Sequence, residues 1–127
     1  MDNFFHDTAA AAMFSAAKMN KVSLFASPRM FCDIYCLEPG QEQLPHRHAE
    51  NDKVYCALTG TCRVTIGGQT RPLRPGQAAI APAGTEHGVR NDSDQRATLL
   101  VMMAPHPDFK GWEQEPEGPQ DRQAAEG

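Results

Sequence analysis

The chain has 127 residues, of which 40% are hydrophobic and 22% charged, and its net charge is −4. That length fits one domain around one core. There is no basic run to serve a nucleic acid and no stretch of about 18 apolar residues to span a membrane.

The N-terminus, Met1-Asp2-Asn3-Phe4-Phe5-His6-Asp7, carries no positive leader region, and Ala9 to Ala12 is too short for a signal core. A cytoplasmic protein is expected. Residues 1–21 read as a helical segment. Asp7-Thr8 followed by an alanine-rich run predicts a capped helix from residue 8 to about 19, with Met13, Phe14, Ala17 and Met19 on its packing side. His6 reads as a solvent-facing terminal residue.

From Val22 the pattern turns to β. Val22 to Ala26 and Arg29 to Leu37 read as strands, with β-branched, aromatic and cysteine residues suited to a half-buried sheet. After a turn at Glu38-Pro39-Gly40 comes an extended piece from Gln43 to His48. Lys53 to Thr59 and Thr61 to Ile66 read as strands joined at Gly60, forming a hairpin. Strands Gln69 to Arg74, Ala78 to Ala81, His87 to Arg90 and Ala97 to Met103 follow, separated by Gly/Pro or Asn/Asp turns. Arg63, Arg71, Arg74 and Arg90 read as solvated strand faces. Met102 and Met103 read as core and edge of the last strand. Many short strands with no helical pattern between them indicate an all-β antiparallel sandwich or barrel over residues 22–104.

Residues 105–127 are rich in Pro, Glu, Gln, Asp and Gly and read as a mostly disordered tail. Phe109 and Trp112 are its large apolar groups, expected to pin its first turns. His106 reads as solvent-exposed. The four cysteines, Cys32, Cys36, Cys56 and Cys62, make no C-x-x-C pair. Cys56 and Cys62 would face one another across a β hairpin. Small buried thiols in a reducing compartment are nevertheless the expected state of all four.

The chemistry centres on His46 and His48. In an extended strand residues i and i+2 share a face, about 7 Å apart, a spacing that two ligands of one metal can use. Two stretches carry a family resemblance, Pro39 to Gly60 and Gly76 to Asn91. Gly40, His46, His48 and Gly60 fill the first cupin motif, G(x)5HxH(x)3–4E(x)6G, in every slot but one. Gly76, Pro82, Gly84, His87 and Asn91 fill every slot of the second, G(x)5PxG(x)2H(x)3N. The chain therefore resembles a small single-domain cupin, a jelly-roll barrel.

The resemblance implies that His46, His48 and His87 converge inside the barrel on one divalent metal ion: Fe, Mn, Ni, Co or Zn. The motif glycines are expected at turns needing positive φ, and Asn91 is expected to close a turn through its side chain. The family's fourth ligand is a Glu, and its slot holds Lys53. With Tyr55 and Ala57, Lys53 falls on the interior face. Four outcomes are open. Asp52 or Glu50 swings in as a substitute carboxylate; Lys53 pairs with one of them; Lys53 holds a substrate carboxylate beside the metal; or no metal binds.

A three-His site is the favoured expectation, with Lys53 and Tyr55 as the candidate catalytic residues. The implied function is a metal-dependent enzyme acting on a small molecule, with a non-haem dioxygenase first and a lyase or isomerase next. The alternative is a non-catalytic small-molecule binding or sensor module. The expected partners are a small-molecule substrate and a second copy in a homodimer, with no nucleic acid and no membrane.

Overall fold

The computed structural model describes residues 4–110. Only one turn of the expected helix forms, α1 (Thr8–Ala11), capped by Asp7, whose Oδ1 accepts from the Ala9 and Ala10 amides at 2.9 and 3.2 Å. At Ala12 the chain becomes extended (φ −64°, ψ 133°). The reason is packing. Ala11, Ala12 and Phe14 lie on the outer face of a sheet, against Leu24, Cys32, Ile34 and Cys36. Asn20 fixes this path by donating from Nδ2 to the Met13 carbonyl at 2.7 Å. Burial of an apolar strap outweighs alanine's preference for helix, which is worth only fractions of a kcal/mol per residue. Of the expected packing side, Met19 is buried and Phe14 half-buried, while Met13 is 65% exposed.

Among the described residues nine strands follow: β1 (Asn20–Ala26), β2 (Phe31–Leu37), β3 (Glu42–His46), β4 (Asp52–Thr59), β5 (Cys62–Ile66), β6 (Gln69–Leu73), β7 (Ala78–Ala81), β8 (His87–Arg90) and β9 (Ala97–Ala104). They form two antiparallel sheets, β1-β2-β9-β4-β7 and β3-β8-β5-β6. The architecture is all-β, a jelly roll with one short helix.

The expected β4–β5 hairpin does not form. β4 pairs with β9 and β7, whereas β5 pairs with β6 and β8. Gly60 carries the chain from one sheet to the other at φ +68°, and a Cβ there would stand 2.3 Å from the Arg96 carbonyl oxygen. Cys56 and Cys62 thus sit in different sheets, and all four cysteines are free thiols.

Between the sheets lies the core: Tyr35, Leu37, Tyr55, Ala57, Cys62, Val64, Leu73, Val89, Ala97, Leu99 and Val101 among others. Buried Asn91 ties one end together. Its Nδ2 donates to the Leu37 and Gln95 carbonyls, and its Oδ1 accepts from the Ser93 amide and hydroxyl. Beyond β9, the His106 amide donates to the Arg29 carbonyl, and the His106 ring packs edge-on against Phe31. His106 is therefore half-buried, not solvent-exposed as the sequence suggested. Trp112 and the tail from residue 111 lie outside the described residues.

Candidate metal centre

β3 and β8 pair so that His46 stands directly opposite His87. Their ring centroids are 4.4 Å apart. Gly88 allows this approach, because a Cβ there would meet the Gln43 carbonyl oxygen and the Pro45 nitrogen at 2.9 Å each. The register of β3 shifts between Gln43 and His46, which turns the histidine inward. His48 lies just past β3. Its carbonyl accepts from the Gly84 amide at 2.7 Å, so the turn before β8 holds it in place. Its ring is 5.0 Å from that of His46 and 5.4 Å from that of His87.

One nitrogen from each of the three rings lies within 4.8 Å of the others. Two rings are oriented through Nδ1, which donates to a backbone carbonyl: Leu44 for His46 and Thr85 for His87, each at 2.9 Å. That fixes the tautomer and leaves the Nε2 lone pair free. His87 is 1% exposed, and its Nε2 is buried without a partner among the described residues. A buried lone pair in want of a donor fits a metal ion. Burial holds the His87 imidazole down to about 4, only partly offset by the Thr85 carbonyl. Burial, then His46, lowers His48 as well. Both shifts favour the neutral form that a metal requires of His48 and His87.

The opposite wall comes from the other sheet. Lys53, Tyr55 and Ala57 all face the interior, 1%, 0% and 4% exposed. Lys53 Nζ donates to Gln43 Oε1 at 3.2 Å. It also lies over the rings of Tyr35 and Tyr55, 5.1 and 5.4 Å from their centroids. No carboxylate forms an ion pair with it among the described residues. Burial and then neighbouring Lys21 push its ammonium down to about 8, with Asp33 opposing. It is still largely protonated near neutral pH. The Tyr55 ring is 6.3 Å from that of His87, and its buried hydroxyl has no partner among the described residues. Burial raises both tyrosines, Tyr35 to about 12.

The substitute carboxylates are absent from the centre. Asp52 Oδ1 accepts from the Ala83 amide at 2.9 Å, and neither it nor Glu50 joins the three histidines. Sequence reasoning missed Asp33, Tyr35 and Gln43. The first two were legible in the alternation of β2, which puts them on the inner face with Leu37. Gln43 depends on the bulge in β3, which no local signal announces.

Comparison with known proteins agrees with this fold. The structure of TT1209 from Thermus thermophilus is similar with a TM-score of 0.80 and 48% identity, covering 81% of this chain and 98% of that one. A protein of Aquifex aeolicus (strain VF5) is 34% identical over 68 residues, 54% of this chain and 55% of its own. A protein named 5-nitrosalicylic acid 1,2-dioxygenase, from Bradyrhizobium sp., is 26% identical over 76 residues, 60% of this chain and 36% of its own. This chain thus spans about half the length of the first curated relatives it matches. The Cupin domain family model matches residues 33–103. That match runs from β2 to β9, more than half of the chain, and takes in His46, His48 and His87: the chain belongs to the cupin family.

Proposed function

We propose that this cupin is a metal-dependent enzyme acting on a small anionic molecule, of the dioxygenase class. The observation that carries the reading is the facing of two walls. Three imidazoles, one with an orphaned buried Nε2, look across the hollow at a buried ammonium without a counter-charge among the described residues. His46, His48 and His87 would hold a divalent ion such as Fe, Mn, Ni, Co or Zn. When bound, that ion supplies Lewis acidity and, if it is iron, redox chemistry with O₂.

The chain's own residues do the rest. Lys53 attracts and orients an acidic group of the substrate, which removes the cost of its unpaired buried charge. The Tyr55 hydroxyl donates to the same molecule. Tyr35 and Gln43 hold the ammonium on its aromatic floor. Similarity to a protein named as a 1,2-dioxygenase supports the class. Four free thiols support a reducing, cytoplasmic setting. The open edge strands β1, β3, β6 and β7, with Ile80 of β7 53% exposed, support pairing with a second copy.

The test is O₂ consumption by Fe(II)-loaded protein over a panel of catechols, thiols and 2-oxo acids. Turnover lost in His46→Ala and in Lys53→Met supports the enzyme. Lys53 in place of a ligating carboxylate favours the second reading, a binding or sensor module. Tight binding of a panel acid with no turnover would establish that instead.

A further inference from the structure

At the edge of its sheet farthest from β3, strand β6 parts from edge strand β7 of the other sheet over a cavity of about 500 Å³. That is within the usual size of a small-molecule pocket. Its floor is apolar, made by Val64, Ile66, Leu73 and Ala79. Its polar groups are Gln69, Arg71 and Gln77, and no acidic side chain lines it among the described residues.

Register decides where these groups project. Arg71 stands opposite Val64, and Gln69 opposite Ile66, in the β5–β6 pair. Residues directly opposite in an antiparallel pair share a face. Val64 is a core residue, so Arg71 and Gln69 rise from the inner face of the sheet rather than its outer one. Arg71 has no ion pair among the described residues. Gln77 Oε1 accepts from the Arg74 amide at 2.9 Å, which leaves its NH₂ to donate elsewhere. A guanidinium and two amide donors above a hydrocarbon floor match a carboxylate joined to an apolar body.

We propose that this cavity binds the carboxylate end of a small apolar acid, forked by Arg71 and flanked by Gln69 and Gln77. It lies next to the histidine centre but is separate from it. None of the three histidines, Lys53 or Tyr55 lines it, while Ile66 pairs with His87 and Ala79 with Tyr55, so its floor adjoins that centre. The same chemistry serves a substrate shared with that centre or a second acid bound alone.

The test uses the full chain, ¹⁵N-labelled and freed of metal with EDTA, so its outcome does not depend on the metal reading. Phenylacetate is titrated, with neutral phenylacetamide as control. Saturable shifts of amides in β5, β6 and β7, at least tenfold weaker in Arg71→Gln and for the amide, are the expected result. Arg71 is exposed, and the spectrum of the variant shows directly that it folds. Absence of saturation, equal binding of acid and amide, an unaltered Arg71→Gln, or shifts confined to residues around Lys53 would overturn the proposal. Repetition with Co(II)-loaded protein names the user. Altered phenylacetate affinity assigns the cavity to the substrate of the histidine centre, and unaltered affinity to a separate acid.

Discussion

Lys53 on β4 crosses the hollow to Gln43 on β3, Nζ to Oε1 at 3.2 Å, and so links one sheet to the other. The acceptor is a neutral amide. The ammonium therefore keeps its full charge demand inside the protein, and this has measurable effects.

The first effect is on stability against pH. Burial lowers Lys53 from 10.5 to about 8. Below pH 8 both folded and unfolded chains hold the proton, and the folded state carries the whole cost of burying it. Between about 8 and 10.5 the unfolded chain binds more protons, so this group makes stability rise with pH, by at most about 1.4 kcal/mol per unit. Tyr35 and Cys62, both raised to about 12, act in the opposite sense above pH 9–10. Comparison with Lys53→Met removes their contribution. Urea unfolding at pH 7.5, 8.5 and 9.5 should show wild type gaining on the variant at each step. A constant difference would mean that the amine is solvated.

Metal binding is the second expectation. Elemental analysis of untagged protein should find close to one divalent ion per chain. His46→Ala, His48→Ala and His87→Ala should each fall near zero. EDTA should lower the melting temperature of wild type and leave that of the variants unchanged, because a ligand stabilises only the state that binds it. Equal, near-zero metal in all four proteins would remove the proposed centre.

The Tyr55 hydroxyl is buried without a partner. Tyr55→Phe should leave stability unchanged or raise it by up to about 1 kcal/mol, since an unsatisfied polar group is removed. Affinity for an acidic ligand should fall roughly five- to tenfold, the worth of one hydrogen bond. Calorimetric titration with the best acid from the O₂ panel reads both proteins. A destabilised Tyr55→Phe with undiminished affinity would assign the residue to the core alone.

Gly60→Ala should cost about 2–4 kcal/mol in urea unfolding, because the added Cβ meets the Arg96 backbone and the residue must keep φ +68°. Gly88→Ala should act differently. It pushes β3 off β8, so metal affinity should fall more steeply than stability, by on the order of tenfold or more. A variant that melts normally and binds metal normally would show that the strands yield.

Much of this was open to reading in the chain. The strands lie within two residues of their expected limits, since Gly and Pro turns and β-branched runs are local signals. Gly40, Gly60, Gly76 and Gly84 all take positive φ, and the three motif histidines meet. What failed was non-local. Nothing near Gly60 says that its two strands enter different sheets, because that depends on pairing with β9, some forty residues on. The alanine run signals helix by propensity, but an apolar sheet face claims it. Arg71 is exposed, as its reading as a solvated residue has it, but only the β5–β6 register shows that it shares the face of Val64. Gly88 fills no motif slot, and only the bulged path of β3 shows what it is for.

His46 and His87 belong to one sheet, with His48 just past the end of β3, and the lysine and tyrosines belong to the other. The working gap is thus largely the spacing of the two layers itself, and core residues such as Leu99 and Val101 fill that spacing. Enlarging or shrinking those side chains would retune the chemistry without touching a single reactive group, as a spacer sets the gap of a spark plug.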